Sequence, residues 1–244
     1  MNKLMVLLLC LIALLMPISA QAYGFSELLD FLLYNDYYDQ SEEDTKLMSI
    51  EEAVKSLHDA GLDVELDLVL RLSDDPNAPC TVLDILILLG LGEYDPATLQ
   101  RTPISHTVYA FDAESFDIEG MYTNFLQGIQ MIVPDVVISE IQEDLSGMTI
   151  EMDFSKEIPT DGTRSFSFLC NGNPYSFELD SHGDWFNAEA IGFIEEVLQK
   201  ENCPKQLCIL DVMEIQGSLI FYADEETIAN VLNLLGIQEG EMIF

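Results

Sequence analysis

Basic residues are scarce in this sequence. Its 244 residues include 9 Lys and Arg against 44 Asp and Glu, a formal net charge of −35 at pH 7. Nucleic acids and anionic membrane surfaces are bound largely through Lys and Arg, so binding to either is not expected. The charge fits a well-solvated surface, a cationic partner or bound cations, or adaptation to a salty medium.

Familiar catalytic patterns are missing as well. The sequence contains no G-x-S-x-G, H-E-x-x-H, Walker loop or G-x-G-x-x-G, which are patterns that mark common hydrolase and nucleotide-binding sites. It has three histidines, His58, His106 and His182. With 44 acidic residues, close pairs of carboxylates are expected by chance and do not indicate acid/base catalysis. The sequence therefore favours a non-enzymatic protein.

Long apolar runs are absent except at the N-terminus. Leu4–Met16 is uninterrupted, Lys3 precedes it, and Pro17 and the small-residue pattern Ala20–Ala22 follow. This is the build of a secretory signal peptide, and the run is short for a membrane span of about 20 residues. We predict a signal peptide at 1–22 and a secreted or cell-envelope protein without a stable membrane span after cleavage. The alternative is an uncleaved anchor.

Cysteine pairs at C-x-x-C spacing are also lacking, which argues against a thioredoxin-like or zinc-knuckle site. After signal cleavage four cysteines remain, Cys80, Cys170, Cys203 and Cys208. An exported protein with an even number of cysteines can form disulfides, and four cysteines allow three pairings. The sequence does not choose among them.

The apolar periodicity predicts an α+β fold with a helical N-terminal region at 23–103. Within it, residues 49–60 form the clearest short helix, and residues 62–72 fit both a strand and a helix. Residues 104–244 form the α+β domain, with a sub-boundary near 145–163, where residues 146–163 are predicted to be a linker or long loop. There we expect a mostly antiparallel sheet with helices packed on one face, in the order β-α-β then β-β-α-β-β-α. The predicted elements are strands at 106–111, 136–141, 164–170, 174–180, 206–212 and 217–223, and helices at 117–133, 187–200 and 225–235.

The segment around the single tryptophan is the first candidate site. His182, Asp184 and Trp185 lie between a predicted strand and a predicted helix. One interpretation is a capped turn, in which Asp184 or Asn187 caps the helix and Trp185 packs back as a staple. The other is a binding surface at the hairpin end around 171–186, since exposed aromatic residues anchor partners.

Residues 73–84 form the second candidate site. Compared with an EF-hand-like or dockerin-like calcium loop, Asp75, Asn77, Thr81 and Asp84 stand at positions 3, 5, 9 and 12, and oxygen ligands at this spacing suit Ca²⁺. The pattern departs from such loops at three positions, with Ser at position 1, Ala at 6 and Asp at 12. The alternative is a plain Asp/Pro turn followed by a helix cap.

Three functions follow from these features. The favoured one is an exported, acidic, non-enzymatic protein that binds a protein or cationic ligand outside the cytoplasm. The second is a small secreted hydrolase of unfamiliar type that uses acids and His182. Cys170 could face His182 across the hairpin as a nucleophile, but its alternation with Phe166 and Phe168 predicts that it points into the core and is inert. The third is a calcium-dependent structural module. The partner, the oligomeric state and the disulfide pairing are left open.

Overall fold

The structure, a computed structural model, describes residues 46–237 apart from 96, 98–99, 115–116, 154–155 and 213–214. The predicted signal peptide at 1–22 lies outside the described residues. Helices are α1 (Ile50–Asp59), α2 (Leu66–Leu72), α3 (Val82–Leu91), α4 (Met121–Ile132), α5 (Glu189–Lys200) and α6 (Glu225–Leu234). Strands are β1 (Glu93–Asp95), β2 (Gln100–Thr102), β3 (Val108–Asp112), β4 (Ile138–Asp153), β5 (Lys156–Cys170), β6 (Asn173–Ser181), β7 (Gln206–Val212) and β8 (Gly217–Ala223).

Two of the first three helices, α1 and α3, begin where local side chains cap them, whereas α2 has no side-chain cap. Ser49 and Glu52 form the predicted capping box at the start of α1, because each satisfies a backbone N–H that the first turn leaves free. Thr81 and Asp84 do the same for α3. Residues 62–72 contain α2 in their last seven residues, which settles the ambiguity between strand and helix there.

Strands β3, β8 and β7 pair in that order as an antiparallel sheet. Alternate residues of β8 point to opposite faces, and both faces are buried. Leu219 and Phe221 lie in one hydrophobic cluster, and Ile220 and Tyr222 lie in another. This sheet is therefore the layer that separates two cores, and we call it the central sheet.

The core on one side of the central sheet is built from α1–α3, α6 and the sheet. We call it the aliphatic cluster; its fully buried members include Ala53, Leu57, Val69, Leu86, Leu219 and Val231. The core on the other side is built from α4, α5 and strands of both larger sheets. We call it the aromatic cluster; its members include Phe111, Tyr122, Phe125, Phe166, Phe168, Phe177, Phe186 and Phe193.

Strands β4, β5 and β6 form a second antiparallel sheet, whose inner face joins the aromatic cluster. The turn between β5 and β6 is the predicted Asn171-Gly172 hairpin, and both residues have positive φ, 50° and 83°, as a type I′ turn requires. The segment 145–163, predicted as a linker or long loop, instead forms most of a β4–β5 ribbon whose pairing continues to Asp153 and Lys156.

The predicted α+β class with a helical N-terminal region is confirmed. The described helical region and the α+β region belong to one compact unit, Leu47–Phe244, because α1–α3 pack on the central sheet. The arrangement goes beyond one sheet with helices on a single face, since there are two larger sheets and the central one is covered on both sides.

None of the helices in the described range combines the length and the apolar character needed to cross a membrane.

Candidate functional site

The turn from His182 to Trp185 connects β6 to α5, and its backbone is fixed on two sides. The Trp185 N–H donates to the His182 carbonyl at 3.2 Å, around Gly183 at φ 61°. Trp185 also forms β-bridges with His182 and with Glu114. The turn is thus held both by itself and by the strand end near Glu114.

Two adjacent aromatic residues leave this turn in different environments. Phe186 donates its N–H to the Ala113 carbonyl at 2.7 Å, and its ring lies 4.7 Å from Phe111 and 4.9 Å from Phe125, centroid to centroid. Trp185 is 55% exposed. Phe186 therefore takes the anchoring role that one sequence interpretation gave to Trp185, and the tryptophan ring is left at the surface.

The start of α5 is tied to the same core. Asn187 accepts the Glu189 N–H at 2.9 Å through its side-chain oxygen, and its own N–H donates to the Tyr122 hydroxyl at 3.1 Å. The N-cap position of α5 is Ala188, which makes no side-chain cap bond; of the two predicted candidates, Asn187 and Asp184, Asn187 is the one that bonds to the first residue of the helix. The Asn187 side chain also donates to the Asp180 carbonyl at 2.9 Å, so it links the end of β6 to the first turn of α5.

A buried ion pair lies behind this turn. The Arg164 guanidinium is 2.8 Å from the Glu143 carboxylate and 4.9 Å from the centre of the Tyr122 ring. Glu143 also accepts the Thr123 N–H at 2.7 Å, and Arg164 donates to the Ile118 carbonyl at 2.5 Å. The pair therefore fixes the start of α4, which carries Tyr122.

Burial raises the pKa of Glu143, while its hydrogen bond from Thr123 and the charge of Arg164 pull that pKa back down. This is the balance expected of a carboxylate that leaves water for a paired interior site. Within the described residues, Arg164 Nε and Ser181 Oγ are buried polar atoms without a hydrogen-bond partner.

His182 is a surface histidine. Its Nδ1 lies 3.3 Å from an Asp161 carboxylate oxygen, and the two side chains are 75% and 81% exposed. An ion pair this exposed stabilises a protein by about 1 kcal/mol or less even when the histidine is protonated. Asp161 was not singled out from the sequence because it falls in the segment predicted as a loop.

Cys170 and His182 do not meet across the hairpin, and Cys170 points into the core, as its alternation with Phe166 and Phe168 predicted. In the β5–β6 register, Cys170 pairs with Asn173 at one end, and Gly162 pairs with Ser181 at the other. Eight residues of strand separate those ends by about 27 Å. Cys170 is fully buried, and burial raises the pKa of its thiol to about 11. A nucleophile needs the opposite, a thiolate beside a base.

The residues of the candidate calcium loop serve as turn and cap. Asp84 accepts hydrogen bonds from the Thr81 N–H and hydroxyl at 2.7 and 2.9 Å, and Asp75 accepts the Asn77 N–H at 3.0 Å. No group of three or more His, Cys, Asp or Glu side chains that could hold a metal occurs in the described part of the chain. The Asp75 and Asp84 carboxylates thus accept hydrogen bonds from within the turn and the helix cap.

Two clefts, of about 410 and 450 Å³, lie in the helical region. The first borders the 73–84 loop and has Leu72, Ile85 and Leu88 among its lining residues. Neither cleft includes His182, Asp184 or Trp185. The Trp185 turn lies at the opposite end of β6 from the Asn171-Gly172 turn.

All four described cysteines are thiols in this structure. Cys170 and Cys203 belong to the aromatic cluster, and Cys80 and Cys208 belong to the aliphatic cluster.

Comparison of the chain with protein-family models gives no match, and comparisons with curated proteins and with solved structures also give none.

Proposed function

We propose that this chain is an exported acidic binding protein that engages a cationic segment of another protein through the Trp185 turn. The observation that carries the proposal is the placement of Trp185: the residue is 55% exposed, on a backbone that is hydrogen-bonded to His182 and bridged to Glu114. The backbone conformation of the turn is therefore fixed by contacts within the chain and does not require a partner.

A fixed, exposed tryptophan suits binding for energetic reasons. Its large ring removes much apolar surface from water on contact, and a held backbone means that little conformational entropy is lost. Tryptophan is accordingly enriched among residues that dominate binding energy. Phe186 anchors the turn in the aromatic cluster, so the exposed ring is not needed to hold the fold.

The charge around the ring favours a cationic partner. Glu114, Asp161 and Asp180 are exposed next to or within the elements that form the turn, and the chain as a whole carries a formal charge of −35. A guanidinium or ammonium group over an exposed indole gains about 0.5–1 kcal/mol from the cation–π interaction. The overall negative charge also speeds encounter with a basic partner.

A binding titration tests the site directly, because Trp185 is the single tryptophan and its fluorescence reports only this turn. We expect an oligo-arginine peptide to change the emission, and a Gly/Ser peptide of equal length to leave it unchanged. Added salt should weaken the binding, since exposed charges are screened.

The matched variants are Trp185→Ala and Tyr94→Ala, followed with a labelled oligo-arginine peptide. Tyr94 is a second exposed aromatic residue, 48% exposed, and lies in the helical region. Trp185→Ala should lose about tenfold or more in affinity, the effect of a binding hot spot, and Tyr94→Ala should bind like wild type. Equal binding by Trp185→Ala and wild type, or no binding by wild type, overturns the assignment.

Export is tested separately by mass spectrometry of the full-length protein expressed with its own leader. The proposal expects the mature chain to begin at Tyr23 and to be recovered outside the cytoplasm. A soluble cytoplasmic chain that retains Met1 contradicts export and leaves the peptide titration to be judged by itself.

A further inference from the structure

The end of α5 lies over the hairpin that follows Cys170. The Glu201 carboxylate accepts hydrogen bonds from the side chains of Asn171 at 3.2 Å and Asn173 at 3.0 Å, and from the Tyr175 hydroxyl at 2.5 Å. Three contacts from one carboxylate bind the residues just after the helix to the turn. Cys203 is two residues beyond Glu201, and Cys170 is one residue before Asn171.

Both thiols face the same core. Cys170 is fully buried in the aromatic cluster, and Cys203 packs at the edge of that cluster. The Cys203 N–H donates to the Leu198 carbonyl at 3.0 Å, which turns the chain back towards the last turn of α5. Cys203 is close enough to contribute to the raised pKa of Cys170, after burial and Glu201.

The other two cysteines are separated from this pair. Cys208 is on β7 and points to the aliphatic cluster, whereas its neighbour Leu207 points to the aromatic cluster. Cys80 pairs with Met48 in the helical region and packs against the aliphatic cluster. The central sheet therefore lies between Cys208 and the Cys170–Cys203 pair, and removes two of the three pairings that the sequence allows.

We propose that Cys170 and Cys203 are a disulfide-forming pair, oxidised when the chain folds in the presence of a disulfide oxidant, with Cys80 and Cys208 left as thiols. The two thiols lose two protons and two electrons as the S–S bond forms. The electrons reduce one disulfide of the oxidant, such as oxidised glutathione, to two thiols. The chemistry does not depend on the binding function proposed for Trp185.

The bond should form during folding and not afterwards. Thiol–disulfide exchange needs a thiolate, and in the folded chain burial raises the pKa of Cys170 to about 11. We therefore expect rapid formation when the full chain is refolded from urea with reduced and oxidised glutathione. Oxidised glutathione added to the folded, reduced protein should act much more slowly.

Tryptic digestion without reduction, followed by mass spectrometry, identifies which cysteines are linked, because each of the four cysteines falls in a different tryptic peptide. The peptides are residues 72–101, 165–200, 201–205 and 206–244. We expect peptide 165–200 linked to peptide 201–205, and alkylated thiols in the other two. A different linkage, or four alkylated cysteines after refolding with oxidised glutathione, overturns the proposal.

Cys203→Ser and Cys80→Ser are the matched variants, because both side chains are half-buried. Wild type and Cys80→Ser should show the linkage, and Cys203→Ser should not. A closed loop of this length should raise the thermal midpoint by about 5–10 °C, and a reductant should remove the increase. If Cys203→Ser does not fold, the peptide linkage in wild type still decides the question.

Discussion

The two cores on either side of the central sheet are built from different chemistry. In the part of the chain that the structure describes, the aliphatic cluster contains one buried aromatic residue, Phe221, among Leu, Ile, Val and Ala side chains and Cys208. The aromatic cluster has Phe and Tyr rings in mutual contact, among them Tyr122 stacked on Phe166 at 5.0 Å, and it borders the buried Arg164–Glu143 pair. The aliphatic cluster is stabilised by non-directional burial of apolar side chains. The aromatic cluster also depends on the relative orientation of its rings and of the ion pair.

The helices of the two cores also begin differently. Three of the four helices of the aliphatic cluster, α1, α3 and α6, carry caps from their own sequence, Ser49, Thr81 and Asp224, while the short α2 has no side-chain cap. Helix α4 of the aromatic cluster has no side-chain cap of its own, and Glu143 of β4 accepts the Thr123 N–H instead. Helix α5 likewise has no side-chain cap at Ala188; the preceding Asn187 bonds both to Glu189 and to Tyr122. The aromatic side is therefore where tertiary contacts fix helix positions, and it is the side that carries Trp185.

Breaking the ion pair should give the largest effect. Arg164→Met leaves Glu143 as an unpaired buried carboxylate, and we expect a loss of about 3–5 kcal/mol in the free energy of unfolding. The double variant Arg164→Met/Glu143→Leu should lose less, because no charge is stranded. Urea unfolding measures both, and a double variant less stable than the single one contradicts this account.

The same variant has a pH signature. A carboxylate whose folded pKa is raised, as that of Glu143 is, stabilises the fold below its unfolded pKa, and this contribution is lost as pH rises through the folded value. Without Arg164 that pKa should rise further. The loss of unfolding free energy in Arg164→Met, relative to wild type, should therefore be smaller at about pH 5 than at neutral pH.

Truncating each core tests whether only one of them supports the site. Leu86→Ala in the aliphatic cluster and Phe125→Ala in the aromatic cluster should each cost about 3 kcal/mol of unfolding free energy. Phe125 lies 4.9 Å from Phe186, so only its variant should also shift Trp185 emission and weaken oligo-arginine binding. If both variants weaken oligo-arginine binding equally, the hypothesis that only the aromatic cluster supports the Trp185 turn is wrong.

Removing a local cap should have a smaller effect. Thr81→Ala deletes the N-cap of α3 and should cost about 1 kcal/mol, with Ser49→Ala at α1 as the matched control. Because Asp84 is bonded to Thr81, we expect millimolar Ca²⁺ to leave the wild-type thermal midpoint within about 1 °C. A clear rise with Ca²⁺ that Asp84→Ala abolishes would favour the calcium loop over the cap.

The smallest effect is expected at Glu201. Hydrogen bonds from Tyr175, Asn173 and Asn171 lower its pKa, so its contribution is present above the unfolded pKa and is lost as pH falls through the folded value. Glu201→Gln should lower the urea midpoint slightly at neutral pH and flatten its dependence below about pH 4.5. Glu196→Gln, one turn earlier and bonded to Lys200, is the control and should leave that dependence intact.

Strands β7 and β8 were predicted at 206–212 and 217–223, and their bounds agree with the structure. Both are short apolar runs bounded by turn residues, which is a strong signal. Parts of β4 and β5 were predicted, as strands at 136–141 and 164–170, but their extension through 145–163 was not, since that segment was predicted as a linker or long loop. In the structure a Cβ on Gly162 would lie 2.4 Å from the Gly147 carbonyl oxygen. These glycines allow two strands to approach closely, a reason that the order of residues does not reveal.

The candidate site was predictable in part. The single tryptophan in a polar turn drew attention to 182–185, and the turn is where it was expected. The sequence did not distinguish the roles of Trp185 and Phe186, since both are aromatic and adjacent. That choice depends on Ala113 and Phe111, which lie more than seventy residues earlier in the chain.

The amino-acid sequence alone determined the strong negative charge, the caps of α1, α3 and α6, and the Asn171-Gly172 turn. Each is a property of composition or of residues within about four positions of one another, where backbone hydrogen bonds are made locally. The tertiary structure decided the Arg164–Glu143 pair, the start of α4, the outward Trp185 and the approach of Cys203 to the Cys170 hairpin. Those features join residues such as Arg164 and Glu143, 21 positions apart, and burial in a shared core is what brings such residues together.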